Sequence, residues 1–184
     1  MSRRDVITAV PTRVLREVEG QKAYVHPTVP IRNDAAKYNV LAVEKLENLM
    51  LDEIPMNLYN DLNTEIVQDI AQKKIFKQVL PIQDPAELQS GDEDPPTLIL
   101  DGYVDDYSAG SEILRVAELG LNHAVVTVRI ELKDASTADV LGAATITVYE
   151  RGIARSGKTA VHKAAATVAA YLQQEINHAR NSHS

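Results

Sequence analysis

The clearest pattern along the chain has a period of two. In HAVVTVRIELKDASTADVLGAATITVYERG (123–152), Val126, Val128, Ile130 and Leu132 alternate with Thr127, Arg129, Glu131 and Lys133. Beyond the turn-rich DAST, Val140 and Leu141 lead into Ala144, Ile146 and Val148, which alternate with Thr145, Thr147 and Tyr149. Two such runs joined by a short polar turn predict an antiparallel hairpin, one face in the core and one in water. Two other segments repeat at helical spacing. In PMNLYNDLNTEIVQDIAQKKIF (55–76), Leu58, Leu62, Ile66 and Ile70 recur every fourth residue, and Tyr59 and Val67 widen the stripe. Pro55 suits the first turn, where its missing N–H costs little. Asp52 and Glu53 at the start and Lys73 and Lys74 at the end complement the helix dipole. In SGKTAVHKAAATVAAYLQQEINHAR (156–180), Val161, Ala164, Ala165, Val168, Leu172 and Ile176 predict a second helix over about 157–178. Ser156 is a natural N-cap for it, and its alanine-rich face suits close approach to a sheet.

Weaker signals fill the remainder. YNVLAVEKL (38–46) carries a short apolar run of the kind a buried strand shows, FKQVLPI (76–82) reads as a short strand, and TLILDGYVDDY (97–107) as another. Gly102 within the last predicts a bulge or a close backbone approach. QDPAELQSGDEDPP (83–96) reads as a solvated acidic loop without a core-forming pattern. Residues 1–35, punctuated by Pro11, Pro27 and Pro30, read as an irregular arm with a short strand at KAYVH (22–26), and 181–184 as a frayed tail. The element order predicts a single α/β domain over 36–180: a mixed sheet with an antiparallel C-terminal hairpin, flanked by two main helices.

Composition narrows the chemistry. With seven Tyr, one Phe and no Trp in 184 residues, the core must be built from Val, Ile, Leu and Ala. A net charge of −7 argues against a nucleic-acid partner, which calls for a basic face. The absence of cysteine excludes disulfides, thiolate zinc sites and a cysteine nucleophile. No apolar run approaches the ~20 residues that span a bilayer. Asp5 and Pro11 interrupt the apolar stretch behind the basic start, so it does not read as a signal peptide.

One motif asks for a function. RGIARSGKTAV (151–161) places Gly152, Gly157, Lys158 and Thr159 in the G-x-x-x-x-G-K-[ST] spacing of a phosphate-binding loop. The predicted strand and helix on either side are the setting such a loop needs. The wider setting is not. A P-loop strand is a buried parallel strand, and a second one ending in a magnesium-binding Asp belongs beside it. Here the preceding strand is an arm of an antiparallel hairpin, and only a circularly permuted order could offer Asp101 as the metal partner. A strand end followed by a helix cap accounts for the same residues, and nucleotide or phosphate binding is the alternative. Asp101, Asp105, Asp106 and Glu112 lack the ligand spacing of a calcium loop, and strict alternation sends Asp105 and Asp106 to opposite faces. The five histidines have no paired helical spacing, and Ser108, Ser111 and Ser136 lie in turn contexts without a nucleophile motif. No catalytic residue, metal site or cofactor is expected.

The stretch LILDGYVDDYSAGSEILRVAELGLNHAVVTVRIELKDASTADVLGAATITV (98–148) resembles a family of uncharacterised bacterial envelope proteins, many of them lipoproteins. Its pattern is carried by Leu100, Gly102, Val104, Asp106, Tyr107, Gly110, Arg115, Gly120, Asp134 and Thr137, with Ala138 where the family turn has glycine. That family is similar in fold to the N-terminal domain of TolB and to the periplasmic domain of the curli-secretion lipoprotein. The resemblance implies a mixed sheet closing on a C-terminal helix, a periplasmic or outer-membrane-associated location, and a lipid anchor on a longer natural N-terminus. It implies an accessory or assembly role through protein partners, and no catalytic residues. Without it, a cytoplasmic location is the default.

Overall fold

A computed structural model of the chain describes residues 13–18, 21–50, 53–88, 95–109, 123–151 and 156–182. Among the described residues, eight strands form one mixed sheet: β1 (Arg13–Val18), β2 (Gln21–Val29), β3 (Val40–Glu44), β4 (Glu47–Asn48), β5 (Gln78–Ile82), β6 (Thr97–Ser108), β7 (His123–Asp134) and β8 (Val140–Arg151). The order across it is β1-β2-β8-β7-β6-β3-β5, with the short β4 paired to β6. Helix α1 (Met56–Lys73) connects β3 to its parallel neighbour β5, and α2 (Ser156–Asn181) follows β8. The expected mixed sheet, antiparallel hairpin and two helices are all present.

Alternation explains the layering. Leu98, Leu100 and Val104 of β6, Val126, Val128, Ile130 and Leu132 of β7, and Ala144, Ile146 and Val148 of β8 point to one face. There they join Leu58, Leu62, Ile66 and Ile70 of α1 and Val161, Ala164, Ala165, Val168, Leu172 and Ile176 of α2 in a single core. Both predicted helical stripes are thus the buried ones. The small Ala160, Ala164, Ala165 and Ala169, all buried, let α2 lie close to the strands. Strand β3 is flanked by parallel strands on both sides, and Val40, Leu41, Ala42 and Val43 are all buried, as a continuous apolar run requires.

Three expectations differ in detail. The segment expected to be an irregular arm contributes β1 and β2, and β2 pairs with β8 from Lys22↔Tyr149 to Val29↔Ala143. Pro27 is tolerated because β1 pairs only as far as Val25, so one side of β2 has no strand neighbour there among the described residues. The acidic loop is partly structured: Asp84 and Glu87 form a reciprocal capping box around a 3-10 turn, Pro85–Glu87. Leu88 then packs with Ala42, Ile82 and Ile99 in a small cluster on the face away from the helices. Finally, Ser156 is the first residue of α2.

The hairpin turn is built on Asp134. Its Oδ1 accepts from Ser136 N at 2.7 Å, Ser136 Oγ at 2.6 Å and Thr137 N at 3.0 Å, and its other oxygen accepts from the buried Tyr38 hydroxyl. Burial alone would raise the Asp134 pKa, but the hydrogen bonds from Ser136, Tyr38 and Thr137 outweigh it and hold the carboxyl well below its usual value of 3.8. A carboxylate with a depressed folded-state pKa contributes stability above its unfolded pKa and loses it as pH falls through the folded value. Acid titration of stability should therefore be shallower below about pH 4 in Asp134→Asn than in the wild type, which a series of thermal melts from pH 6 to 2 would read. Ala138 closes the turn at φ +60°, where glycine is favoured. Relief of a left-handed cost of about 1–2 kcal/mol, less about 0.4–1 kcal/mol for the freer unfolded chain, gives Ala138→Gly an expected gain of roughly 0.5–1 kcal/mol in chemical denaturation.

Candidate functional site

The phosphate-loop residues fall at the N-terminus of α2. Gly152 lies outside the described residues. Gly157 is buried, Lys158 exposed and Thr159 half-buried on the first turn. A side chain at Gly157 would bring a Cβ to 2.5 Å from the Tyr107 hydroxyl and 3.6 Å from Leu58 Cδ1, so this glycine lets the helix start approach Tyr107 and α1. Strand β8, which precedes the segment, lies between β2 and β7 and runs antiparallel to both. Asp101 is on the opposite face of the sheet from α2, held by Lys133 Nζ at 2.5 Å. Behind the helix start, the buried Glu150 accepts from Lys163 Nζ at 2.6 Å, an ion pair that ties the end of β8 to the second turn of α2.

Tyr107 reaches this position through a register change. Val104 faces the helices opposite Val128, and the next pairing is Asp106 with Thr127, so Asp105 is an extra residue in β6. This one-residue bulge shifts the alternation, and Tyr107 rather than Asp106 becomes the next buried residue. Asp105 turns instead to Arg129, whose Nε and Nη2 both approach its Oδ2 at 3.0 Å. The register with Thr127 puts Asp106 on that same helix-free face, so the two aspartates do not separate as strict alternation predicts.

That helix-free face presents polar and aromatic side chains in ordered rows. The strand register aligns His26, Thr145, Arg129 and Tyr103 in one row across four strands, and Tyr24, Thr147 and Thr127 in the next. The Thr127 and Thr147 hydroxyls are 3.1 Å apart. The Arg129 guanidinium lies 5.9 Å from the centre of the Tyr103 ring, within cation–π range, and its bond to Asp105 strengthens its hold on the proton. Toward β1, the Tyr24 and Tyr149 rings meet edge to face at 5.8 Å. They border a shallow groove of about 330 Å³ lined also by His26, Thr145 and Thr147. Toward β3 the face becomes charged: Lys133 bridges Asp101 and Glu131, and Glu44 has its pKa raised by burial and then by Asp101 and Asp84.

The sequence pattern marked Thr145, Thr147 and Tyr149 as the wet side of the hairpin but did not join them to Tyr24 and His26. That union depends on β2 crossing to β8 over more than a hundred residues. Of the histidines, His162 Nδ1 lies 3.0 Å from Glu65 Oε2 between the helices, and His178 is exposed. The side chains of His123 and His183, and residues Ser111 and Glu112, lie outside the described residues. Ser136 is consumed by the Asp134 turn. Among the described residues no three His, Asp or Glu side chains could hold a metal ion, and no helix is long and apolar enough to cross a membrane.

No family model matches the chain, and no curated protein matches it. Solved structures do. PelC of Paraburkholderia phytofirmans, a dodecamer, is 17% identical over 79% of this chain and 96% of its own, with a TM-score of 0.52. Protein XCC0632 of Xanthomonas campestris, of the DUF330 family model, is 17% identical over 86% of this chain and 98% of its own, with a TM-score of 0.51. The lipoprotein GNA1162 of Neisseria meningitidis aligns at 14% identity over 75% of this chain and 98% of its own, with a TM-score of 0.42. At these identities PelC and XCC0632 are similar to this chain in fold.

Proposed function

We propose that this chain is a non-enzymatic accessory domain of the bacterial cell envelope, which works by holding a protein partner against the helix-free face of its sheet. The observation that carries this reading is the asymmetry of the sheet. One face is sealed by α1 and α2, whereas the other presents Tyr24, Tyr103, Tyr149 and Arg129 in register. Tyrosine and arginine are the side chains that dominate protein interfaces, because each gives a large contact area together with a polar anchor. The envelope location rests on the resemblance of residues 98–148 to envelope proteins and extends to the TolB-like and curli-lipoprotein-like relationship. The fold likeness to PelC, a dodecamer, agrees with action through protein contacts.

A photo-crosslinking residue at Tyr149, in the living bacterium, should give a discrete protein adduct. The same residue at Gln68, on the exposed side of α1, should not, and Thr147→Arg should abolish the Tyr149 adduct. Equal yields at both positions, or none at either, would overturn the contact surface. The competing nucleotide reading, using Gly152, Gly157, Lys158 and Thr159, makes a different prediction. A ligand at about 100 times its Kd adds about 2.7 kcal/mol, roughly 5–10 °C in a chain of this size. We expect no such shift with magnesium and ATP, and a shift that Lys158→Ala removes would sink the proposal in favour of nucleotide binding.

A further inference from the structure

We draw no further inference here: the strongest candidate, the groove between Tyr24 and Tyr149 on the helix-free face of the sheet, belongs to the contact surface already described, and nothing in the structure shows what covers it.

Discussion

Gly102→Val is expected to destabilise the fold by about 4 kcal/mol, combining overpacking with displacement of a neighbouring strand. A Cβ at this position would run into the carbonyl oxygen of Arg129 and come within 3.0 Å of Ile130 Cα. Both obstacles are backbone atoms of β7, so no side-chain rotation relieves the clash. The strand pair would have to separate, at the cost of ladder hydrogen bonds in the centre of the sheet. Gly142 and Gly157 provide the contrast. Their added Cβ atoms would meet Ile31 and the Tyr107 hydroxyl first, and side-chain atoms can yield. Alanine at either should cost about 1–2 kcal/mol. Urea denaturation of the set ranks them, and a Gly102→Val protein as stable as Gly142→Ala would refute the close approach of β6 to β7.

The second large effect concerns the pair behind the start of α2. Glu150 is 6% exposed, and its carboxylate is held by Lys163 Nζ at 2.6 Å. Replacing Lys163 by methionine keeps most of the unbranched stem but removes the charged end, leaving a buried carboxylate without that cation. Breaking a buried pair from one side costs about 3–5 kcal/mol, and the quarter exposure of the Lys163 side chain places the expectation near the lower end, about 3 kcal/mol. The double variant Glu150→Leu, Lys163→Met should recover most of that loss, because no charge remains to be solvated. A double variant no better than the single one would mean that Glu150 serves its other contacts more than this one.

What the sequence disclosed follows from how far each element's pattern is set by its own neighbours. The alternation in 123–134 and 140–151 is local, because each run is half buried against α2 and half in water, and both strands and their hairpin were legible. The stripe Leu58, Leu62, Ile66 and Ile70 was legible for the same reason. Strand β2 was seen only as KAYVH, since only Ala23 and Val25 mark its core side and Pro27 argues against a strand. Its extension comes from pairing with β8, which no local window contains. The bulge at Asp105 was invisible because an extra residue in a strand leaves no trace in composition, although Tyr107 three positions after Val104 is its signature. The Asp84–Glu87 capping box was written in the chain, yet the surrounding acidic residues made the segment read as solvated. The helix-free face, finally, is assembled from β2, β6, β7 and β8, and only the side chains of β7 and β8 advertised themselves.

The union of β2 with β8 also bears on how the chain reaches its fold. Strands β6, β7 and β8 follow one another and can zip locally, with α2 closing over them. The β1–β2 hairpin has no sheet to join until β8, about 120 residues later in the chain, has formed. Pairings of such long sequence separation carry a large loop-closure entropy and slow the rate-limiting step. During synthesis the N-terminal hairpin would wait with an unpaired edge until almost the whole chain had emerged, a state prone to pairing with the wrong strand. The joining of β2 to β8 is accordingly expected late in folding, and the surface that the two strands form jointly exists only once they have paired.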